Sequence, residues 1–317
     1  MNEQLVKRLR LVFLASAGKS LKTILFLLKI MIPTSLAVTL LGWSGLLKIF
    51  AEFLTPLMKL VGLPGQAALA FISGALLNNY SAIAVMGTMT LSVRDATIIA
   101  VMCLVAHNLV VETAVMKSAG SSALKMLFLR LGTAIAAAFL LNLLLPASLA
   151  RIPFSAGIQA GQYSLLETLR QWGISTLLLT GKITLFVCAI MLIQNLFEEF
   201  KLMDFLSRLF APFMKVLGLS ADTSFLWIVI NVVGYSYGAG IIKSEYESGR
   251  LRKQEGDLFN HHAAISHSLL EDTILYAAVG LPVFWLMVPR LALAVAVVWL
   301  ERFRRSHFRK SFRAGTV

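Results

Sequence analysis

Along most of this chain apolar residues come in runs separated by short polar stretches. The runs at 24–47, 175–196 and 281–300 each approach the ~20 residues that a bilayer-spanning helix needs. A helix is the expected conformation there, because it satisfies its own backbone hydrogen bonds where no water can. The pattern predicts the same series of elements twice. A long helix (23–47; 175–194) leads into an amphipathic segment that ends at Pro-Leu-Met-Lys or Pro-Phe-Met-Lys. An interrupted helix (65–90; 222–244) and a polar-centred helix (95–116; 257–276) come next, then a last span (124–145; 281–300). Residues 146–172, with Pro153, Gly157 and Gly161, join the halves and are expected to lie along the membrane interface.

The halves also match residue by residue. Leu54-Thr-Pro-Leu-Met-Lys-Leu-Val-Gly-Leu63 parallels Phe210-Ala-Pro-Phe-Met-Lys-Val-Leu-Gly-Leu219, a shift of 156. His107-Asn-Leu-Val-Val-Glu-Thr113 parallels His267-Ser-Leu-Leu-Glu-Asp-Thr273, a shift of 160. Pairing Gly74 with Gly234 places an insertion between Leu219 and Gly234. The expected fold is therefore all-α: a polytopic membrane protein of two homologous helical repeats, each with an interrupted helix or hairpin. Its expected parts are a basic cytoplasmic segment (1–22), a first membrane repeat (23–146), a linker (147–172), a second membrane repeat (173–300) and a basic cytoplasmic tail (301–317). An interrupted segment that turns back gives each half an odd number of crossings and inverts the repeats; one that crosses makes them parallel. Counting Lys and Arg in the loops favours inversion by a small margin, with Arg130 and Arg290 treated as loop charges.

Composition agrees with the pattern: 58% of the 317 residues are hydrophobic and 14% charged, where a soluble domain carries roughly a quarter charged. The formal net charge of +13 sits at the ends of the apolar runs, on Lys7, Arg8, Arg10, Lys19 and Lys22 and on Arg302, Arg304, Arg305, Arg309, Lys310 and Arg313. That placement fits cytoplasmic flanks of an integral protein of a prokaryotic cytoplasmic membrane, both termini inside, touching anionic lipid. It does not fit nucleic acid, since no aromatic-interleaved basic stripe lies between the flanks. Cys103 and Cys188 both fall in apolar runs and read as small buried hydrophobes. Phosphate-binding, zinc-protease and serine-nucleophile motifs are absent, so no enzymatic activity is expected.

Candidate chemistry lies in the polar interruptions. Short Gly-interrupted segments at matching places in two halves point to a transporter's binding site. Here they offer Asn78, Asn79, Tyr80 and Ser81, and Tyr235, Ser236 and Tyr237. Close packing of small residues is the alternative. Ionisable groups within membrane segments face cavities or partners; these are His107, Glu112 and Thr113 in the first half and His267, Glu271, Asp272 and Thr273 in the second. On a continuous helix His267 and Glu271 share a face, whereas His107 and Glu112 stand about 140° apart and pair poorly. The alternative role is cross-helix bonding that only holds the bundle together.

These two motif pairs resemble the nucleoside recognition or "Gate" domain family, which is similar to parts of concentrative nucleoside transporters, the membrane region of ferrous-iron transporter B, and spore maturation proteins A and B. The resemblance implies a permease or secondary transporter for a small polar solute, of the nucleoside class, with the residues named above as substrate contacts. A divalent-metal transporter with His107, Glu112, His267, Glu271 and Asp272 as ligands, and a non-transporting assembly partner, are the other readings it allows. No cofactor is expected; a coupling cation and a homo-oligomer are left open.

Overall fold

A computed structural model describes residues 3–155, 164–232, 234, 235, 242 and 251–314. Five of its helical stretches are long and apolar enough to cross a membrane among these residues: Val6–Trp43, Val93–Ser118, Ala123–Leu144, Leu165–Phe197 and Val283–His307. In four of the five no more than 33% of the apolar window is buried, as in lipid-facing spans, whereas 72% of that of Val93–Ser118 is buried and this helix lies at the centre.

The first helix, α1 (Glu3–Trp43), runs 41 residues, about 60 Å at 1.5 Å per residue. It absorbs most of the expected N-terminal segment, because apolar residues there recur between the lysines and arginines and Val12, Ser16 and Ser20 are buried. Its partner α8 (Leu165–Glu199) begins inside the expected linker for the same reason. The two lie antiparallel. Arg8 Nε meets Glu199 Oε1 at 2.6 Å, Asn195 Nδ2 donates to Ser16 Oγ at 2.8 Å, and Trp172 Nε1 donates to Ser35 Oγ at 3.2 Å. Residue numbers thus fall along one helix as they rise along the other. Cys103 is buried as expected; Cys188, on α8, is exposed.

In the first half, α2 (Leu46–Lys59) leads to Gly62, whose φ of +71° and whose missing Cβ, which would sit 1.9 Å from Asn142 Oδ1, admit only glycine. Gly218, 156 residues on, repeats the turn with φ +74° after α9 (Leu202–Phe210) and a 3-10 turn. The interrupted helix is α3 (Ala67–Leu76) and α4 (Asn79–Met86). The break is capped by Asn78, whose Oδ1 accepts from the Ser81 amide at 2.9 Å. A two-stranded ladder that the pattern did not indicate, β1 (Leu91–Ser92) with β2 (Pro153–Ser155), ties the start of the linker to the entry of the next helix. Two- and three-residue strands are too short to leave an alternation in sequence.

The polar-centred helix is not one helix. It divides into α5 (Val93–Ala106) and α6 (Leu109–Ser118), followed by α7 (Ala123–Leu144). The second half has α10 (Ser224–Val232), α11 (Lys253–Ile265), α12 (Leu269–Ala278) and α13 (Val283–Ala314). Asn108 and Ser268, which open α6 and α12, share a left-handed conformation (φ 45°, ψ 39°; φ 48°, ψ 37°). The Asn108 amide donates to Gly74 O at 3.0 Å and the Ser268 amide to Ile230 O at 2.8 Å. Those matching bonds pair Gly74 with Ile230, not with Gly234. The shift of 156 therefore persists through α10, and the four-residue insertion moves to between Tyr235 and Lys253.

The antiparallel contact is directly testable. In a Cys188→Ser background, Ser16→Cys and Asn195→Cys are expected to be joined by a short bifunctional thiol reagent, detected as linked peptides by mass spectrometry. The pair Ser16→Cys and Trp172→Cys is expected to stay unlinked; linkage of that control pair would contradict the arrangement.

Candidate functional site

The two broken helices meet at the centre of the bundle, and their breaks bring the ionisable residues together. Had α5 and α6 been continuous, His107 and Glu112 would diverge. Because the chain turns at His107 and Asn108, Glu112 Oε1 comes back to 3.3 Å from His107 Nε2. The same oxygen lies 3.3 Å from His267 Nε2, reached from the other half. The imidazoles stand 5.0 Å apart between ring centroids, and Asp272 Oδ2 is 3.7 Å from His107 Nε2. All four side chains are buried.

Both histidines are oriented by one device. His107 Nδ1 lies 2.9 Å from Cys103 O and His267 Nδ1 lies 2.7 Å from Ala263 O. A carbonyl only accepts, so each Nδ1 carries a proton and donates it. In the neutral imidazoles each Nε2 then presents a lone pair toward the Glu112 carboxylate. A triangle of two imidazole nitrogens and a carboxylate oxygen can take a proton on an imidazole or bind a metal ion.

The two groups that complete the centre were read from sequence as loop charges. Arg130 on α7 and Arg290 on α13 are fully buried, so neither belongs in the count that set the topology. Arg130 Nε donates to Val105 O at 2.9 Å and its Nη2 to His107 O at 2.7 Å, and the same Nη2 forms an ion pair with Glu112 Oε2 at 2.7 Å. Arg290 Nη2 donates to His267 O at 2.6 Å. The sequence signal was present: the arginines are 160 residues apart, in the register of the histidines, and each interrupts an apolar run. The symmetry is incomplete. Arg290 Nε and Nη1, Arg130 Nη1, Asp272 Oδ2, and the hydroxyls of Thr113 and Thr273 are buried without a hydrogen-bond partner among the described residues. Buried polar atoms left open in this way are satisfied by ordered water or an ion in many proteins.

The other expected residues divide. Asn79 Oδ1 accepts from the Tyr276 hydroxyl at 3.2 Å, which reaches the cluster's edge, and Tyr80 lies against Glu271. Asn78 and Ser81 serve the helix cap instead. Tyr235 is buried with its ring 5.7 Å from that of His267, its hydroxyl donating to Asn260 Oδ1 at 2.8 Å. Ser236 and Tyr237 lie outside the described residues. Glu271 does not share the histidine triangle, despite its four-residue spacing from His267, because α12 starts only after that histidine.

A core of broken helices and buried charges of this kind defines a polytopic helical membrane protein with an internal polar centre. The Gate family, described as nucleoside recognition, matches residues 24–161. An uncharacterized membrane protein of Bacillus subtilis (strain 168), YvoD, is 31% identical over 290 residues, covering 90% of this chain and 92% of its own length. The chain belongs to this Gate family of membrane proteins. No solved structure matches it.

Removing one partner of a buried ion pair strands the other, at a cost of about 3–5 kcal/mol. Arg130→Leu is therefore expected to lower the unfolding temperature in detergent more than Arg290→Leu, whose guanidinium has no carboxylate within ion-pair distance among the described residues. Glu112→Leu added to Arg130→Leu is expected to restore part of the loss. Equal losses for the two single variants would contradict the unequal pairing.

Proposed function

We propose that this protein is a secondary transporter for a small polar solute, coupled to a proton held by the buried centre. The nucleoside class is taken from the family description. The reading rests on the triangle of His107 Nε2, His267 Nε2 and Glu112 Oε1, whose geometry calls for a cation. Charge decides which cation. Arg130 and Arg290 contribute two positive charges; Glu112, Glu271 and Asp272, when ionised, contribute three negative ones. One proton neutralises the sum, and net charge in a low-dielectric interior is strongly penalised.

The antiparallel run of α1 and α8, the first helices of the two halves, supports inverted repeats, since equivalent helices of parallel repeats would run the same way. Inverted repeats about a midplane site suit alternating access. On this reading both termini are cytoplasmic and the linker is external. A cysteine at Arg151 or Leu165, in the Cys188→Ser background, is then expected to react with an impermeant thiol reagent added to intact cells; protection of both would favour parallel repeats.

A second reading has its own observation. The three ligand atoms lie within 4.8 Å of one another, and imidazoles whose Nδ1–H bonds to a carbonyl are typical metal ligands. A divalent ion would leave the centre with net positive charge beside two guanidinium groups, so the proton is favoured.

Proteoliposome uptake separates these readings. Nucleoside uptake driven by an imposed pH gradient, abolished by a protonophore and reduced at least tenfold in Glu112→Gln and in Asp272→Asn, is the expected outcome. Uptake of a divalent metal alone, lost in His107→Ala and His267→Ala, would replace the proton reading with the metal one. No response to any solute or ion would sink both and leave a non-transporting assembly role.

A further inference from the structure

A cavity of about 360 Å³ lies away from the buried centre, between α1, α4, α8 and the β2 strand. That volume is within the ~300–1,000 Å³ of small-molecule sites. Its lining is of mixed character. Trp172 and Phe154 supply aromatic surface; Ser35, Thr39, Thr88 and Gln171 supply hydroxyl and amide groups. Thr39 is only 2% exposed and its hydroxyl has no hydrogen-bond partner. Among the described residues no carboxylate lines the space, and Lys182 is the one charged lining residue. Aromatic surface with several hydrogen-bonding groups and no acid complements a flat, uncharged ring compound bearing hydroxyl or amide groups.

The cavity also connects to the ionisable centre through shared elements. Ile83 and Ala84 of α4 line it, and Tyr80, one turn earlier on the same helix, lies against Glu271. Val279 lines it too, and α12 leads back from there through Tyr276 to Asp272. A helical turn advances about 5.4 Å, so the cavity stands one to two turns from the carboxylates.

Resting on the transporter reading above, we infer that the solute and the coupling proton occupy different places. The uncharged solute is held in the cavity by Trp172, Gln171 and Thr39, and the proton is held at the His107, Glu112 and His267 triangle. Tyr80 and Glu271 link them. The separation follows from the chemistry of each place. The centre is filled with charged side chains suited to a small cation, whereas the cavity has the volume and, apart from Lys182, the uncharged lining among the described residues that a nucleoside-sized molecule needs.

Gly87 gives a clean way to close the cavity. It lines the space, has an ordinary φ of −64°, and a Cβ there would stand 3.5 Å from its nearest neighbour, so a larger residue is accommodated at the cavity wall without backbone strain. The test is equilibrium binding of tritiated uridine and adenosine to the purified full chain at fixed pH. Gly87→Leu and Trp172→Ala are expected to weaken binding at least tenfold, and Thr39→Val by a few fold. Size-exclusion profiles confirm that each variant is folded.

Nucleoside binding that survives both Gly87→Leu and Trp172→Ala would overturn the placement of the solute in the cavity while leaving the transporter reading intact. Absence of nucleoside binding by the unaltered protein, together with absence of uptake, would overturn both. A phospholipid carried through purification, seen by native mass spectrometry and released by Gly87→Leu, would show a lipid in the cavity and overturn the assignment.

Discussion

Helices broken inside a membrane leave backbone amides and carbonyls with no water to serve them, and each orphan group costs several kcal/mol. This chain breaks two helices at its centre, and the closure of those breaks governs the rest. The carbonyls of Gly74 and Ile230 take the amides that open α6 and α12. The carbonyls of His107 and His267 are taken by the guanidinium groups of Arg130 and Arg290. Arginine suits the task better than lysine: it stays charged when buried, and its fork lets Arg130 reach Val105 O, His107 O and Glu112 together.

Once two guanidinium groups occupy the core, carboxylates must follow them, and the turn that created the orphan carbonyls also delivers the acids. The left-handed residues Asn108 and Ser268 redirect the chain so that the fifth residue after each histidine, Glu112 or Asp272, faces back toward the centre. The structural reading, in which these polar groups only bond across helices, and the functional one are not in conflict. Arg130 holds a helix break and sets the charge of the cation site with the same side chain. What a purely structural role leaves unexplained is the set of open atoms on Asp272, Arg290, Thr113 and Thr273.

The helical architecture and the long apolar spans were legible in the sequence because a spanning helix must be long and apolar. Three things were not legible, each for a physical reason. The division of the polar-centred helix was hidden because neither Asn108 nor Ser268 is a glycine or proline, so the break carried no punctuation. Arg130 and Arg290 were misplaced because an arginine near the end of an apolar run is usually a flank, and only their 160-residue spacing marks them as core. The β1–β2 pairing involves too few residues to show a period. The residues of the buried polar cluster were singled out, since His, Glu, Asp and Thr within apolar segments are conspicuous, but their partners were misjudged wherever a straight helix was assumed.

The unequal halves of the site bear on how a transport cycle would run. Glutamate at 112 is one methylene longer than aspartate at 272, and that length lets a single oxygen approach both imidazoles. Asp272 falls short: among the described residues its ion-pair partner is His107 at 3.7 Å, and Arg290 has no carboxylate partner. Inverted repeats that exchange conformations would exchange these environments, giving Asp272 the paired position and Glu112 the open one. A proton passing between the two acids then has one intermediary. His107 Nε2 lies within 3.3 Å of Glu112 and 3.7 Å of Asp272, so it is the residue at which the state of one half can be felt by the other.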